Sequence, residues 1–269
     1  MQFAGTPISL TDQSAPDFAT LLQRHGLYPK ASAELHNTVP MVPTHATTIL
    51  AFKYADGVLV AGDRRATAGN TIMYDRADKV LEIDRYSLMA IAGVPATAWE
   101  MARVLEHSFH FFRRSKLAEM SIEGKVRALS KLLRDNLGYV LQGIGVVVPI
   151  FAMFDLDAGI PRVYFYDAMG AGFEAAEFSA TGSGSPAVRA VLHYENSFGK
   201  RPLSKLRAND ATLLALRALD TASEADAATG GVDRHAKVFP IVKLITKDGI
   251  STLPEARLAK LYRGNLSAS

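Results

Sequence analysis

A hydroxyl and a carboxylate stand at the two ends of one short hairpin in the first quarter of the chain. The hydroxyl belongs to Thr47 and the carboxylate to Asp63. The residues between them form two apolar runs joined at Asp56-Gly57, a dipeptide typical of a tight turn. Because the outer ends of a hairpin lie close together, the sequence predicts that these two side chains share one neighbourhood.

Thr47 is a candidate nucleophile, but a threonine hydroxyl attacks a carbonyl only when a base removes its proton. No histidine stands in a recognisable motif with Thr47. If Thr47 is the first residue of a processed chain, its own α-amine is a base with an ordinary pKa of about 7.7–8.0. That pKa is close to the ideal for proton transfer at neutral pH. This chemistry requires cleavage between Ala46 and Thr47.

Residues 1–46 differ in composition from the rest of the chain. They contain Pro7, Pro16, Pro29, Pro40 and Pro43. Only residues 17–25 carry apolar side chains at helical spacing. Such a segment is either a disordered tail or a leader that docks on another surface. We predict that residues 1–46 are a propeptide and that residues 47–269 form the mature domain.

The composition excludes several classes of function. The chain is 48% hydrophobic and 21% charged, as in ordinary globular proteins, and its net charge of +3 gives no argument for nucleic acid. It has no cysteine, and its seven histidines include no pair at a metal-ligand spacing, so we expect no metal and no other cofactor. No run of about 18 apolar residues and no signal peptide is evident, and the expected location is cytoplasmic.

The predicted elements come in blocks, with strand pairs followed by helix pairs. After the first hairpin, a polar connection over residues 65–78 leads to strands at 79–84 and 86–93. Two long helices follow at 96–116 and 122–142. The remaining elements are strands at 146–155, 161–167 and 173–180, helices at 184–193 and 209–223 (the latter capped by Asn209-Asp210), a hairpin at 237–253 and a helix at 254–261. This order favours an α+β fold with two antiparallel sheets in a four-layer α-β-β-α sandwich.

Six short motifs follow one another along the chain. They are Thr47-Thr48-Ile49, Gly62-Asp63-Arg64-Arg65-Ala66-Thr67, Lys79-Val80, Ile91-Ala92-Gly93, Gly182-Ser183-Gly184-Ser185 and Asp226-Ala227-Ala228-Thr229-Gly230-Gly231. In this order and spacing they resemble the motifs of the β subunits of 20S proteasomes, which are N-terminal threonine hydrolases. The likeness is greatest to the bacterial, actinobacterial-type form and covers about residues 44–261. It implies the same four-layer fold.

The resemblance also implies a site around Thr47. Lys79 would lie beside Thr47 and pair with Asp63, and the Gly93 N–H would stabilise the oxyanion. Three further residues, Ser183, Asp226 and Thr229, would complete the hydrogen bonds around the terminal amine. Taken one at a time, each of these residues also has an ordinary structural use, such as a strand threonine or a solvated lysine.

The resemblance implies a peptide substrate that lies extended between Thr67 and the 93–95 segment. The pocket for the side chain before the cleaved bond would be lined by Ala66, Ala77, Leu81, Ile91, Pro95 and Trp99. This lining is apolar, so we predict a preference for hydrophobic residues there. The implied partners are other β subunits in a ring, rings of α subunits, an ATPase unfoldase ring and unfolded polypeptides.

Two residues depart from the family pattern. Ala46 replaces the usual glycine before the threonine, and Pro95 replaces a residue that usually donates a backbone N–H to the substrate. Two alternatives stay open: another N-terminal-nucleophile hydrolase of the same fold, such as the HslV peptidase or an amidase, and a catalytically silent β subunit.

Overall fold

The computed structural model describes residues 18–24, 47–68, 71–232 and 238–266. In these residues the strands are β1 (Thr48–Tyr54), β2 (Gly57–Gly62), β3 (Ala66–Ala68), β4 (Thr71–Tyr74), β5 (Val80–Asp84), β6 (Ser87–Ala90), β7 (Ile150–Asp155), β8 (Ile160–Tyr166), β9 (Gly172–Glu174), β10 (Phe178–Gly182), β11 (Ile241–Thr246) and β12 (Gly249–Thr252). The helices are α1 (Phe18–Arg24), α2 (Pro95–Lys116), α3 (Ile122–Asp135), α4 (Leu137–Leu141), α5 (Ser185–Phe198), α6 (Ala208–Ala225) and α7 (Glu255–Leu266). Within this described part, no helix combines the length and apolarity needed to cross a membrane.

Two five-stranded antiparallel sheets form the two inner layers. One has the strand order β10-β1-β2-β11-β12, and the other has the order β5-β6-β7-β8-β9. Alternate residues of β1 point to opposite sides of its sheet, as the pleat requires. Ile49 and Ala51 pack into the core between the sheets, whereas Leu50 and Phe52 pack under helices α5 and α6. The predicted four-layer α-β-β-α sandwich is confirmed.

The second sheet is covered in the same way by α2 and α3. Met89 and Phe151 of this sheet pack against Leu105 of α2 and Leu129 of α3. Each sheet is therefore buried on both faces, which explains why β1 and β2 are almost continuously apolar.

The first hairpin has the predicted turn and register. Tyr54 pairs with Gly57, and Ile49 pairs with Gly62. A Cβ on Gly57 would lie 1.9 Å from the carbonyl oxygen of Ile245, so the turn needs glycine for the close approach of β11. At the open end, the Asp63 N–H donates to the Thr48 carbonyl (3.0 Å), which brings the two predicted ends together.

Residues 122–142 do not form the single helix predicted from their apolar stripe. The helix ends at Asp135, and Asn136 separates α3 from α4. The Asn136 side chain donates to the Gly145 carbonyl (2.6 Å) and so fixes the loop that follows. This tertiary hydrogen bond, which the stripe does not reveal, accounts for the break.

The predicted strand at 173–180 is also wrong, because the chain changes sheets within it. Residues 172–174 form β9 in the second sheet, and residues 178–182 form β10 in the first. The Ala175 N–H still donates to Val163 in the second sheet (2.8 Å), whereas the Glu177 carbonyl already accepts from Lys53 N–H beside the first (2.9 Å). Each part has a single large apolar residue, Phe173 or Phe178, so the pattern is too short to mark the crossing.

Two smaller predictions need correction. The polar connection at 65–78 contains a small two-stranded sheet made of β3 and β4. The helix predicted from Asn209-Asp210 begins at Ala208, with Arg207 as its N-cap and without a side-chain cap.

The helix predicted at residues 17–25 is present as α1. It lies against α2, and Leu21 is almost fully buried. These residues therefore pack on the domain, whereas the sequence left open only a disordered tail or a leader that docks on another surface.

Candidate active site

Asp63 is the centre of the first hydrogen-bonded group. Its Oδ1 accepts from the Thr48 N–H (2.8 Å) and from Lys79 Nζ (2.8 Å). Its Oδ2 accepts from the backbone N–H groups of Arg65 (2.9 Å) and Gly230 (3.0 Å). The side chain is fully buried, so these four donors replace water around the carboxylate.

Lys79 is buried beside Asp63, with 6% of its side chain exposed. Its ammonium also donates to the Arg65 carbonyl. Burial, the largest influence, lowers the pKa of Lys79, and the Asp63 carboxylate opposes this without cancelling it. The predicted pairing of Lys79 with Asp63 is thus present in the structure, and the pair bridges the end of β2 and the start of β5.

Asp226 is the centre of a second group, just after helix α6. Its Oδ2 accepts from the hydroxyls of Ser183 (2.6 Å) and Thr229 (2.5 Å), and its Oδ1 from the Ala228 N–H (3.1 Å). Partial burial, the largest influence, raises the pKa of the Asp226 carboxyl, but these donors and the nearby Arg65 bring it below its ordinary value. The structure therefore joins the three predicted residues Ser183, Asp226 and Thr229.

Thr48 connects the hydrogen-bonded groups centred on Asp63 and Asp226. The sequence analysis did not predict this role. Its hydroxyl accepts from the Gly184 N–H (2.9 Å) and lies 2.6 Å from the Thr229 hydroxyl. Because Thr229 donates to the Asp226 carboxylate, it accepts from Thr48, and the direction of each hydrogen bond is fixed. Since the Thr48 N–H also donates to Asp63, one residue joins both carboxylates.

Arg65 is the second residue that sequence reasoning missed. Its guanidinium donates to the carbonyls of Ala227 (2.8 Å) and Thr229 (3.2 Å). Its own backbone binds Asp63 through the N–H and Lys79 through the carbonyl. The signal in the sequence was its place in the motif Gly62-Asp63-Arg64-Arg65-Ala66-Thr67, two residues after Asp63.

Thr47 immediately precedes β1 and is 4% exposed. Its carbonyl accepts from the Ser183 N–H (3.1 Å). Gly182, opposite in β10, has φ of +99°, and a Cβ there would lie 1.7 Å from the Thr47 carbonyl oxygen. Glycine at 182 thus allows β10 to approach the candidate nucleophile closely. Ala46, the other half of the predicted cleavage site, lies outside the described residues.

Gly93 adopts φ of +115° just before helix α2, where a Cβ would lie 2.1 Å from the Val146 carbonyl oxygen. Its neighbours are held by two hydrogen bonds of 2.8 Å, from Val94 N–H to Val146 and from Val148 N–H to Ala92. Among the described residues, no acceptor binds the Gly93 N–H. This group is therefore a rigidly placed donor that is available to an oxyanion.

The predicted substrate-binding residues lie on β3, on the segments around β5 and β6, and at the start of α2: Ala66, Thr67, Ala77, Leu81, Ile91, Pro95 and Trp99. The Ala77 N–H donates to Arg64 (3.0 Å) and the Ile91 N–H to Lys79 (2.9 Å), which places both next to the Asp63–Lys79 pair. Ile91 is buried in the core under α2, whereas Trp99 is 47% exposed. Trp99 supplies far more accessible apolar surface than Ile91.

The arrangement suits hydroxyl chemistry assisted by a buried cation. It places a lysine, two carboxylates and three threonine or serine hydroxyls within one hydrogen-bonded network. In the described ranges, no group of three or more histidine, aspartate or glutamate residues is arranged to hold a metal ion.

Comparison with known proteins gives consistent likenesses. A sequence profile described as "Proteasome subunit" matches residues 44–238. Proteasome subunit beta 2 of Thermomonospora curvata is 40% identical over 230 residues, which cover 86% of this chain and 79% of that protein. Proteasome subunit beta of Stackebrandtia nassauensis is 39% identical over 228 residues, covering 83% and 79%. Proteasome subunit beta 1 of Streptomyces avermitilis is 37% identical over 248 residues, covering 90% and 83%.

Proposed function

Because this chain belongs to the proteasome β-subunit family, of the actinobacterial type, we propose that it is a proteolytic β subunit whose nucleophile is an N-terminal Thr47. The family implies a protease that assembles into a multi-subunit core particle. The observation that carries the proposal is the buried carboxylate of Asp63, which binds both the residue after Thr47 and the Lys79 ammonium.

In this proposal, residues 1–46 are removed and the freed α-amine of Thr47 is the general base. The Lys79 cation favours the neutral form of that amine and assists loss of the hydroxyl proton. Asp63 holds Lys79 in place, since a buried ammonium without a partner is costly. Asp226, with Ser183 and Thr229, orients the amine.

The remaining steps are the attack on the peptide and the hydrolysis of the resulting ester. Thr47 Oγ attacks the carbonyl of an extended peptide, and the Gly93 N–H stabilises the oxyanion. The acyl-enzyme ester then forms with departure of the amine product, and water hydrolyses it. An unfolded polypeptide fits this scheme, because strand-like binding reads the peptide backbone rather than its sequence.

Specificity and partners belong to the same proposal. The predicted lining residues are apolar, and Trp99 is accessible, which favours a hydrophobic residue before the cleaved bond. We further propose a β ring flanked by α rings, substrates delivered by an ATPase unfoldase ring, and a cytoplasmic location.

The proposal is tested by the intact mass of the chain after incubation with its α-type partner. We expect loss of residues 1–46, a new amino terminus at Thr47 and cleavage of peptides with a hydrophobic residue before the scissile bond. A particle that assembles, keeps residues 1–46 and cleaves no peptide would support the catalytically silent alternative.

We predict that Ala46 slows processing. If the turn before Thr47 needs a left-handed conformation at residue 46, alanine costs about 1 kcal/mol relative to glycine. That cost corresponds to about a fivefold lower rate. Intact mass followed over time after assembly should therefore show faster cleavage for Ala46→Gly. Equal rates for the two proteins would mean that residue 46 imposes no backbone constraint.

We predict that peptide hydrolysis has an alkaline limit set by Lys79. Burial lowers the pKa of Lys79, so the ammonium loses its proton at a lower pH than an exposed lysine. As pH rises through that lowered pKa, the cation is lost and kcat/KM should fall. The pH profile of the assembled particle measures this limit. A limit no lower than the ordinary lysine pKa of about 10.4 would contradict the prediction.

A further inference from the structure

Helix α7 contacts Arg64, the residue after Asp63, and Asp220 of α6, although it supplies no group to the site itself. Glu255 and Tyr262 stand about two helical turns apart on α7, so their side chains leave the same face of the helix. The helix is anchored in the core of its layer through Leu258 and Tyr262. Helix α7 thus presents the Glu255 carboxylate and the Tyr262 hydroxyl on one face.

The first contact runs through Arg64, the residue after Asp63. Arg64 Nη1 binds Glu255 Oε1 at 2.6 Å, and Nη2 donates to the Arg76 carbonyl (3.2 Å). The Arg64 carbonyl also accepts from the Ala77 N–H (3.0 Å). Arg64 therefore joins the end of β2 to the segment leading into Lys79, and Glu255 fixes its guanidinium.

The second contact runs through Asp220 of α6. The buried Tyr262 hydroxyl donates to Asp220 Oδ2, and Asp220 Oδ1 accepts from the Val232 N–H (3.0 Å). Two residues before Val232, the Gly230 N–H donates to Asp63 Oδ2. Tyr262 is thus connected through Asp220 to the loop whose Gly230 binds Asp63.

We propose that helix α7 is a positioning element, in which Glu255 acts through Arg64 and Tyr262 acts through Asp220 to hold the Asp63–Lys79 pair in place. The inference rests on the proposed function, because it assigns this role with respect to hydrolysis at Thr47. Both residues act through other side chains and touch no reacting atom.

The test compares Glu255→Gln and Tyr262→Phe, which keep the side-chain shape and remove the charge or the hydroxyl. Tyr262→Phe should lower kcat about fivefold, as expected for one lost hydrogen bond. Glu255→Gln should lower kcat about twofold, because it removes the charge of a partly exposed ion pair while its amide oxygen can still accept from Arg64. The double variant should lower kcat further. KM should not change, because neither residue touches substrate. The full-length chain is tagged, and the assembled complex is purified from its native host.

Titration with a hydrophobic tripeptide boronate, which binds covalently to hydroxyl nucleophiles, measures the number of active sites in each preparation. A positioning role predicts the same number of sites with a lower kcat per site. Fewer sites with an unchanged kcat per site would show that α7 only stabilises the fold, and would overturn the proposal.

Matched control variants separate the α7 contacts from general effects. Arg257→Gln removes a hydrogen bond from α7 to Asn209 that does not lead to the site (3.0 Å). Tyr166→Phe removes another buried tyrosine hydroxyl, which donates to Val126 under the other helix layer (3.2 Å). Both controls should keep the wild-type kcat, and equal losses in the controls and the test variants would also overturn the proposal.

The wild-type complex separates a failure of the proposed role of α7 from a failure of the proposed function. If it cleaves peptides and binds the boronate while Glu255→Gln and Tyr262→Phe match it, only the role of α7 fails. If it does neither, the proposed function fails and the role of α7 fails with it.

Discussion

Thr47→Ala should abolish peptide hydrolysis, lowering kcat/KM on the order of a thousandfold or more, because the acyl-enzyme ester has no oxygen from which to form. The substitution removes a hydroxyl and a methyl group just before β1. The Thr47 carbonyl still accepts from the Ser183 N–H, so the fold should persist. Turnover of a peptide with a hydrophobic residue before the cleaved bond measures the loss.

Assembly serves as the internal control for this prediction. Light scattering should give the same particle mass for Thr47→Ala and for the wild type in the presence of the α-type partner. Thr47→Ser offers a second control, since it restores a hydroxyl and should recover measurable turnover. Full activity of Thr47→Ala would exclude the proposed mechanism.

Lys79→Met should cost nearly as much activity, at least on the order of a hundredfold in kcat, because the Thr47 hydroxyl loses the cation that assists it. It should also lower the free energy of unfolding by roughly 3–5 kcal/mol, since Asp63 is left as a buried, unpaired charge. Urea unfolding and peptide turnover measure the two effects separately.

The chain contains a matched control for this second variant. Lys125 and Asp84 form another buried ion pair, with a 2.7 Å contact and side chains 6% and 10% exposed. Lys125→Met should lose comparable stability while keeping kcat. If Lys79→Met turned over peptide at the wild-type rate, its catalytic role would be abandoned, although membership of the family would stand.

The spacing of apolar residues and the Asp56-Gly57 turn were sufficient to predict the four layers of the sandwich and the two ends of the first hairpin. The Asp56-Gly57 turn fixes the register of β1 and β2, and that register brings residues 48 and 63 together. The order of the remaining blocks then leaves few ways to bury both faces of two sheets.

The features that could not be predicted depend on contacts between distant parts of the chain. Thr48 looks like any strand threonine until the Thr229 hydroxyl is placed against it. The break at Asn136 depends on Gly145, and the change of sheet at residues 175–177 depends on Val163 and Lys53. Neither leaves a mark in the spacing of apolar residues.

The hydrogen bond between Thr48 and Thr229 also bears on when the site can first exist during protein synthesis. The two residues are 181 positions apart, so a ribosome adding about 5–20 residues per second needs roughly 10–35 s to make the second after the first. Closing such a distant contact is slow even in the complete chain, because many local structures must form first. A nascent chain therefore carries Thr47 and Thr48 long before Thr229 and the residues around it have been synthesised. If Thr47 is the nucleophile, as proposed, this delay keeps the chain and its neighbours from hydrolysis while they are still unfolded.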